Sequence, residues 1–438
     1  MSWLLQYRVR LYLRFSLWIL PAISIVVALA AARFLIALEV AMGWRGTMSP
    51  DTARLIMSTV AGSTFTLVVL VSSAMLLAVQ LASAQLTPRI ITLIYRSPAG
   101  KLAFSIFVFT FTFSVATLVR IEDRVPLLAS YVAGYGFLIC LALFILFTDT
   151  VGKMLRPSSA LRRVGLAGRE VIISVYPSQR TEDTKLPEPV KLPRDIQPQL
   201  VKSKEDGAVL AFDMSGLVNK ATTANCIIEF VPQVGGFIAV GDPLFRVFAE
   251  SQRPGDDELR NSVAIGHERT LEQDPMFAFR IIVDIASKAL SPAINDPTTA
   301  VMAIDQIHHL LREVGKRLLA DGREEDAQGH LRLIYRTPDW EDFVQLGTTE
   351  IRQYGRDSIQ VLRRLRAMLE DLIETLPRHR HAILQKELAM LGCSSKRSFP
   401  DLDDQKLAES GDLQGIGGSD DDHEFYDEPH TAAVSRIS

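Results

Sequence analysis

From Leu55 to Pro88 the chain contains no Asp, Glu, Lys, Arg or His. A bilayer core of about 30 Å is crossed by about 20 helical residues, so this segment is long enough to span with residues to spare. Three more blocks share its character: Phe15 to about Leu38, interrupted only by Arg33, then Leu102 to Val119, then Leu127 to Phe147. Lipid offers the backbone no hydrogen bonds, so only helices and closed barrels cross it. These runs are continuous rather than alternating, which selects helices. Residues 1–150 are therefore expected to form a four-helix transmembrane domain, with membrane lipid as its first partner.

Basic residues in the short loops set the expected orientation. Arg8, Arg10 and Arg14 precede the first span, Arg89, Arg96 and Lys101 separate the second from the third, and Lys153, Arg156, Arg162 and Arg163 follow the fourth. The opposite side has Arg45, Arg54, Arg120 and Arg124. A multi-pass protein of the cytoplasmic (inner) membrane results, with both termini and the soluble region in the cytosol. The first block also has the Arg-rich start and small-residue stretch of a cleavable secretory signal. Its apolar character resumes in Phe34, Leu35, Ile36 and Leu38, and Trp18 and Trp44 stand where interfacial anchors belong, which favours a retained span. Arg33 lies near the outer end, where its side chain can reach the headgroups. Three distant cysteines, Cys140, Cys226 and Cys393, give neither a disulfide framework nor a zinc pattern.

Within the second span Thr59, Thr66, Ser73 and Gln80 recur every seven residues and share one stripe of the helix. Ala74, Ala78 and Ala82 form a neighbouring small-residue stripe that allows close helix approach. The polar stripe has two readings: glue between packed helices, or the lining of a hydrated path in a homo-oligomer. No acidic residue, Lys or His sits mid-span, which speaks against a proton relay or a strongly coupled ion carrier.

Beyond the membrane the expected class is an α+β domain. Residues 151–177 read as a connecting helix starting near Pro157, and 178–206, with Pro187, Pro189, Pro193 and Pro198, as a linker. Residues 207–250 read as a small β-rich, barrel-like unit with strands at Ala208–Phe212, Cys226–Val231 and Gly236–Phe248. The phrase GGFIAVGDPLFRVF resembles the turn and strand of biotin or lipoate carriers, but Lys220 lies in an expected helix, so no carrier function transfers. Residues 251–393 read as helical, with Ile359, Leu362, Leu365, Met368, Leu369, Leu372 and Ile373 at helical spacing. Residues 394–438 read as a disordered acidic tail: from 401 onward eleven carboxylates face only Lys406 and Arg436.

The most distinctive stretch is HERTLEQDPMFAFRIIVDIASKALSPAINDPTTA, residues 267–300. Phe277, Ile281, Ile285 and Leu290 mark a buried helix face, while Arg280, Asp284 and Lys288 stack at four-residue spacing on another. Asp296 and Pro297 open the next helix as N-cap and first turn, with Val301, Ile304, Leu311 and Leu318 inward. The charged ladder reads first as a salt-linked solvent face. Polar density at the bends keeps a ligand or subunit contact open: Arg269, Thr270, Gln273 and Asp274 before the helix, Ser291, Asn295 and Asp296 after it. His267, His308 and His309 lack metal-ligand spacing, so no catalytic, cofactor or metal residue is expected.

Together QLASAQLTPRI, RPSSALRRV, GDPLFRV, RTLEQDPMFAFR and LSPAINDPTTA resemble a bacterial family of predicted membrane proteins of unknown function, over about residues 10–390. The resemblance implies four spans and a cytosolic domain and brings no activity with it. Two functional expectations follow. One is an oligomeric, channel-like or transport-associated protein gated by its cytosolic domain. The other is a membrane-anchored sensor or scaffold whose cytosolic domain binds a ligand, ion or partner. Nothing points to nucleic acid, and no motif spells out an enzyme.

Overall fold

The computed structural model describes residues 2–43, 48–91, 98–122, 125–179 and 197–418. Trp44, Arg45, Arg96, Arg124, residues 180–196 of the expected linker and residues 419–438 of the expected tail lie outside them. The chain forms two compact units, Met1–Arg163 and Val164–Ser438.

The first unit holds four helices long and apolar enough to cross a membrane: α2 (Ile19–Met42), α3 (Pro50–Gln85), α4 (Pro98–Leu118) and α5 (Leu127–Met154). A short helix, α1 (Trp3–Phe15), precedes them, so the first apolar block is entered through a break rather than by one continuous helix. Helix α3 starts ahead of its apolar run because Ser49 caps it, accepting from the Thr52 amide at 3.2 Å, with Pro50 in the first turn.

Long-range bonds fix an up-and-down order. Near the end of α2, Glu39 accepts from the amides of Leu127 (2.7 Å) and Leu128 (3.2 Å). A carboxylate near the end of one apolar helix thereby satisfies orphan donors at the start of another and meets the positive end of its dipole. Arg54 at the start of α3 donates to the Ile121 carbonyl at 3.0 Å. At the opposite ends Lys101 donates to the Arg14 carbonyl at 2.6 Å. Small residues line the contacts: Ala28, Ala32, Ala53, Ala129 and Ala133 are fully or almost fully buried around Met57 and Phe113.

In the second unit, helix α6 (Pro157–Val175), whose first residues belong to the membrane unit, packs through Gly168 on Ala278 and Leu310. The β region differs from the barrel-like unit expected at 207–250. It consists of two open sheets, ordered β1-β5-β3-β8-β7 and β4-β2-β6. The strands are β1 (Gln199–Lys202), β2 (Gly207–Phe212), β3 (Ile227–Gln233), β4 (Phe237–Ile238), β5 (Pro243–Phe248), β6 (Val263–Gly266), β7 (Arg323–Glu325) and β8 (Leu331–Arg336). Three of these come from the region expected to be helical, and β8 runs parallel to β3. The sheets share a core of Val209, Phe212, Leu217, Ile228, Phe230, Phe245, Val247 and Leu333. Each large buried apolar side chain there contributes about 1.5–3 kcal/mol. Helix α7 (Met214–Thr223) carries Lys220, which donates to Ser262 Oγ at 2.8 Å.

The helical part consists of α8 (Asp256–Arg260), α9 (Pro275–Ala289), α10 (Pro297–Gly315), α11 (Trp340–Tyr354), α12 (Ile359–Thr375), α13 (His381–Ser398) and α14 (Leu402–Ala408). Phe277, Ile281 and Ile285 are buried as expected, and so are Phe279, Ile282 and Val283, so α9 is a central helix covered on most sides. Val301, Ile304 and Leu311 face inward, whereas Leu318 lies beyond the end of α10 and is exposed. The disorder expected from residue 394 does not describe residues 394–418. Helix α13 continues to Ser398, α14 follows, and Asp412 folds the next turn by accepting from the amides of Gly415 (2.8 Å) and Gly417 (2.7 Å). Arg363 on α12 donates to the carbonyls of Ser410 and Gly418. The acidic composition concealed one carboxylate with a buried backbone role.

Candidate functional site

Two features stand out, one in each unit. In the membrane unit all four residues of the polar stripe, Thr59, Thr66, Ser73 and Gln80, are exposed. At 100° per residue they lie opposite the buried face of α3, formed by Ala53, Met57, Val60, Thr64, Val71, Ala78 and Ala82. The small-residue stripe is therefore the one used inside the bundle, through Ala78 and Ala82, while the polar stripe is left uncovered by the described residues. Leu55, Gly62, Val69 and Leu76 alternate with it at three- and four-residue steps, and all are exposed. The outer face of α3 is an open seam of period 3.5, the pattern of helices that wrap around one another. Thr59 and Thr66 return their hydroxyls to the carbonyls of Leu55 (2.8 Å) and Gly62 (3.0 Å).

In the second unit the motif RTLEQDP builds the head of α9. Asp274 is the N-cap: Oδ1 accepts from the Phe277 amide at 3.1 Å, with Pro275 in the first turn. This is the same Asp-Pro device that opens α10, where Asp296 accepts from the Thr299 amide at 3.1 Å. Gln273 clamps the end of β2, accepting from the Phe212 amide at 3.1 Å and donating to its carbonyl at 3.3 Å. Head and sheet are thereby locked together.

Asp274 is 4% exposed, and its Oδ2 has no hydrogen-bond partner among the described residues; neither has the buried Thr270 Oγ1. Buried polar atoms are normally paired, so two orphans in one short loop are a feature to explain. Above Asp274 lies the turn after β3, where Gly235 has φ +81°. A β-carbon on Gly235 would stand 2.3 Å from Oδ2 and 3.6 Å from the Arg269 guanidinium carbon. Burial pushes the Asp274 carboxyl up to about 6, against the opposing pull of Arg269 and of the Phe277 and Met276 amides. The nearby Tyr176 phenol is pushed to about 12, chiefly by burial.

The sequence-flagged residues do not converge on one place. Arg269, Thr270, Gln273 and Asp274 gather at the head of α9. Ser291, Asn295 and Asp296 sit beyond its other end, about 20 Å away along a 15-residue helix. There Ser291 Oγ donates to the Lys288 carbonyl at 2.7 Å, Asn295 makes the turn with φ +47°, and Asp296 caps α10. Arg280 and Asp284 are an ion pair on the side of α9, extended by Glu350 of α11, to which Arg280 donates through both terminal nitrogens. The bond to Glu350 raises the Arg280 guanidinium further above its ordinary range.

Sequence reasoning missed Gly235, Tyr176 and Glu350, which come from segments distant in the chain. It also missed a cluster between α10 and α12. There His308 contacts Asp371 at 2.7 Å and Arg364 at 3.2 Å, and Arg364 donates to Asp305 at 2.7 Å. No group of His, Cys, Asp and Glu suited to a metal ion occurs among the described residues.

Four helices long and apolar enough to cross a membrane, followed by an α+β unit, give the architecture of a predicted membrane protein. The chain belongs to the family described as predicted membrane protein (DUF2254), whose model matches residues 14–371. It is similar to uncharacterized proteins of Mycobacterium tuberculosis and Mycobacterium bovis, each 26% identical over 416 residues, covering 90% of this chain and 79% of the relative. No solved structure matches it.

Proposed function

We propose that the protein is a homo-oligomer of the cytoplasmic membrane, with both termini cytosolic, in which copies of α3 meet along their outer seam and enclose a channel-like or transport path. The observation that supports this reading is the exposure of Thr59, Thr66, Ser73 and Gln80 on the side of α3 that its own bundle leaves uncovered. From Thr59 to Gln80 the helix rises about 30 Å, the full hydrocarbon thickness. In a lone copy Ser73 and Gln80 would face lipid, where polar groups without partners are costly. Several α3 seams around one axis would give those groups each other, or water, instead. The soluble unit then serves as the regulatory part.

Cysteine cross-linking tests this. In a Cys393→Ser background, Thr66→Cys and Ser73→Cys should form inter-chain disulfides in native membranes, whereas Ala78→Cys, on the buried face, should not. Solute flux in liposomes then separates a path from mere docking. Absence of cross-links at both stripe positions would overturn the oligomer, and cross-linked protein without flux would overturn the path.

A second reading, a membrane-anchored sensor, is favoured by the head of α9. The Asp274 carboxyl, one oxygen of which has no partner among the described residues, is pushed up to about 6 by burial, so the second unit would respond to protons or to a ligand that supplies a hydrogen-bond donor. Thermal shift of the full-length protein with Asp274→Asn as control tests this reading.

A further inference from the structure

Helix α1 has no fully buried residue, yet its exposed side is not polar. Leu5, Val9, Tyr12 and Leu13, at spacings i, i+4, i+7 and i+8, are 47%, 42%, 57% and 52% exposed. They form one arc of the helix, opposite the half-buried arc of Leu4, Tyr7 and Leu11. Arg8 borders the exposed arc on one edge and Arg10 lies beyond the other, with Arg14 farther round toward the half-buried side, and α1 contains no carboxylate. An apolar arc between cationic edges, with low overall hydrophobicity, is the pattern of a helix lying in the headgroup layer.

The connection to α2 places that arc at a membrane surface. Only Ser16, Leu17 and Trp18 separate the two helices, so α1 stands within one turn of the start of the first span. Trp18 is 60% exposed and donates from Nε1 to the Tyr12 hydroxyl at 3.2 Å. That bond pairs two residue types which concentrate at lipid–water boundaries. Lys101 Nζ, at the start of α4, adds a further cation against the Arg14 carbonyl. We infer that α1 is an interfacial helix that inserts Leu5, Val9, Tyr12 and Leu13 among the acyl chains and holds anionic phospholipid headgroups with its arginine edges. The occupant of this exposed face is lipid rather than a second copy, because the arc stands within one turn of the first span and ends on the pair Tyr12 and Trp18, residue types of the lipid–water boundary.

The test uses the full-length Cys393→Ser protein in nanodiscs of phosphatidylcholine with one-quarter phosphatidylglycerol, spin-labelled in turn at Gln6→Cys, Val9→Cys and Leu13→Cys. Collision with oxygen, which partitions into lipid, and with a water-soluble nickel chelate reports each position. Val9 is expected to favour oxygen several-fold more than Gln6, with Leu13 between them. That preference should fall in discs of phosphatidylcholine alone, and in Arg10→Gln/Arg14→Gln protein in the anionic discs. Val9 and Leu13 reached by neither reagent would show them covered by protein. Nickel reaching them as easily as oxygen would show α1 clear of the bilayer. Either result overturns insertion, and an unchanged preference in both lipids overturns the anionic selectivity.

Discussion

A β-carbon placed on Gly235 would fall 2.3 Å from Oδ2 of Asp274, the oxygen that accepts no hydrogen bond among the described residues. Two segments distant in the chain thus meet at the head of α9, and the backbone of one closes over the carboxylate of the other. Gly235→Ala is expected to destabilise the protein on two counts: φ +81° strains any L side chain, and the methyl displaces a buried carboxylate. A loss of about 2 kcal/mol or more is expected, read as a lower unfolding temperature of the purified protein. An unchanged transition would show that the turn can move away.

Asp274 carries a pH dependence of defined sign. Its carboxyl is raised from 3.8 to about 6 by burial, so the folded state disfavours the ionised form. The penalty is absent below the unfolded value, grows as pH rises through 4 to 6, and is complete above it, at about 3 kcal/mol. Asn keeps the cap and removes the charge. The stability of Asp274→Asn relative to the parent should therefore increase between pH 4 and 6 and level off above 7. A difference constant over that range, in unfolding curves measured at each pH, would refute the assignment.

Arg352 on α11 and Glu387 on α13 are both buried, with Nε and Oε2 3.5 Å apart. Removing one partner leaves an uncompensated charge, so Arg352→Met alone is expected to cost about 3–5 kcal/mol. The double variant Arg352→Met/Glu387→Leu should recover most of that loss, and denaturant unfolding of the parent, Arg352→Met, Glu387→Leu and the double variant measures the coupling.

Asp412 is the acceptor that folds the turn at residues 412–418, which Arg363 and Gln360 also hold through its carbonyls. Asp412→Ala removes the acceptor for the amides of Gly415 and Gly417 and is expected to loosen residues 399–418 locally, by about 1–3 kcal/mol. The readout is tryptic cleavage after Lys406, which should accelerate while the global transition stays in place.

On the outer face of α3, Gln80→Leu and Ser73→Leu should leave the single-chain fold intact, since neither side chain is buried in it. If the seam joins copies, both substitutions weaken the oligomer in detergent, as measured by light scattering; unchanged mass would disconnect the stripe from assembly.

Much of the architecture was legible because its causes are local. Asp296-Pro297 places a side-chain acceptor and a donor-free residue where a helix begins, and it opens α10 as expected; the same device, not picked out in the sequence, opens α3 at Ser49-Pro50 and α9 at Asp274-Pro275. The separation of α1 from α2 was not legible, since the apolar pattern runs through Phe15 to Trp18 without a breaker. The open sheets were misread as a small barrel because β8 joins β3 across two long helices, a pairing that local composition does not encode. The acidic end was read as disordered because composition counts carboxylates without showing that Asp412 would satisfy two amides.

By itself the sequence determined which four runs are long and apolar enough to cross a membrane, because that capacity depends on the length and composition of each run alone. It also placed polar side chains on one stripe of α3, since helical geometry is fixed. Only the tertiary structure decided which stripe α3 turns to its own bundle, that Gly235 closes over Asp274, and that the polar groups at the two ends of α9 stay apart. Those outcomes depend on which distant segments pack together, and packing energy is summed over surfaces that no single stretch of chain contains.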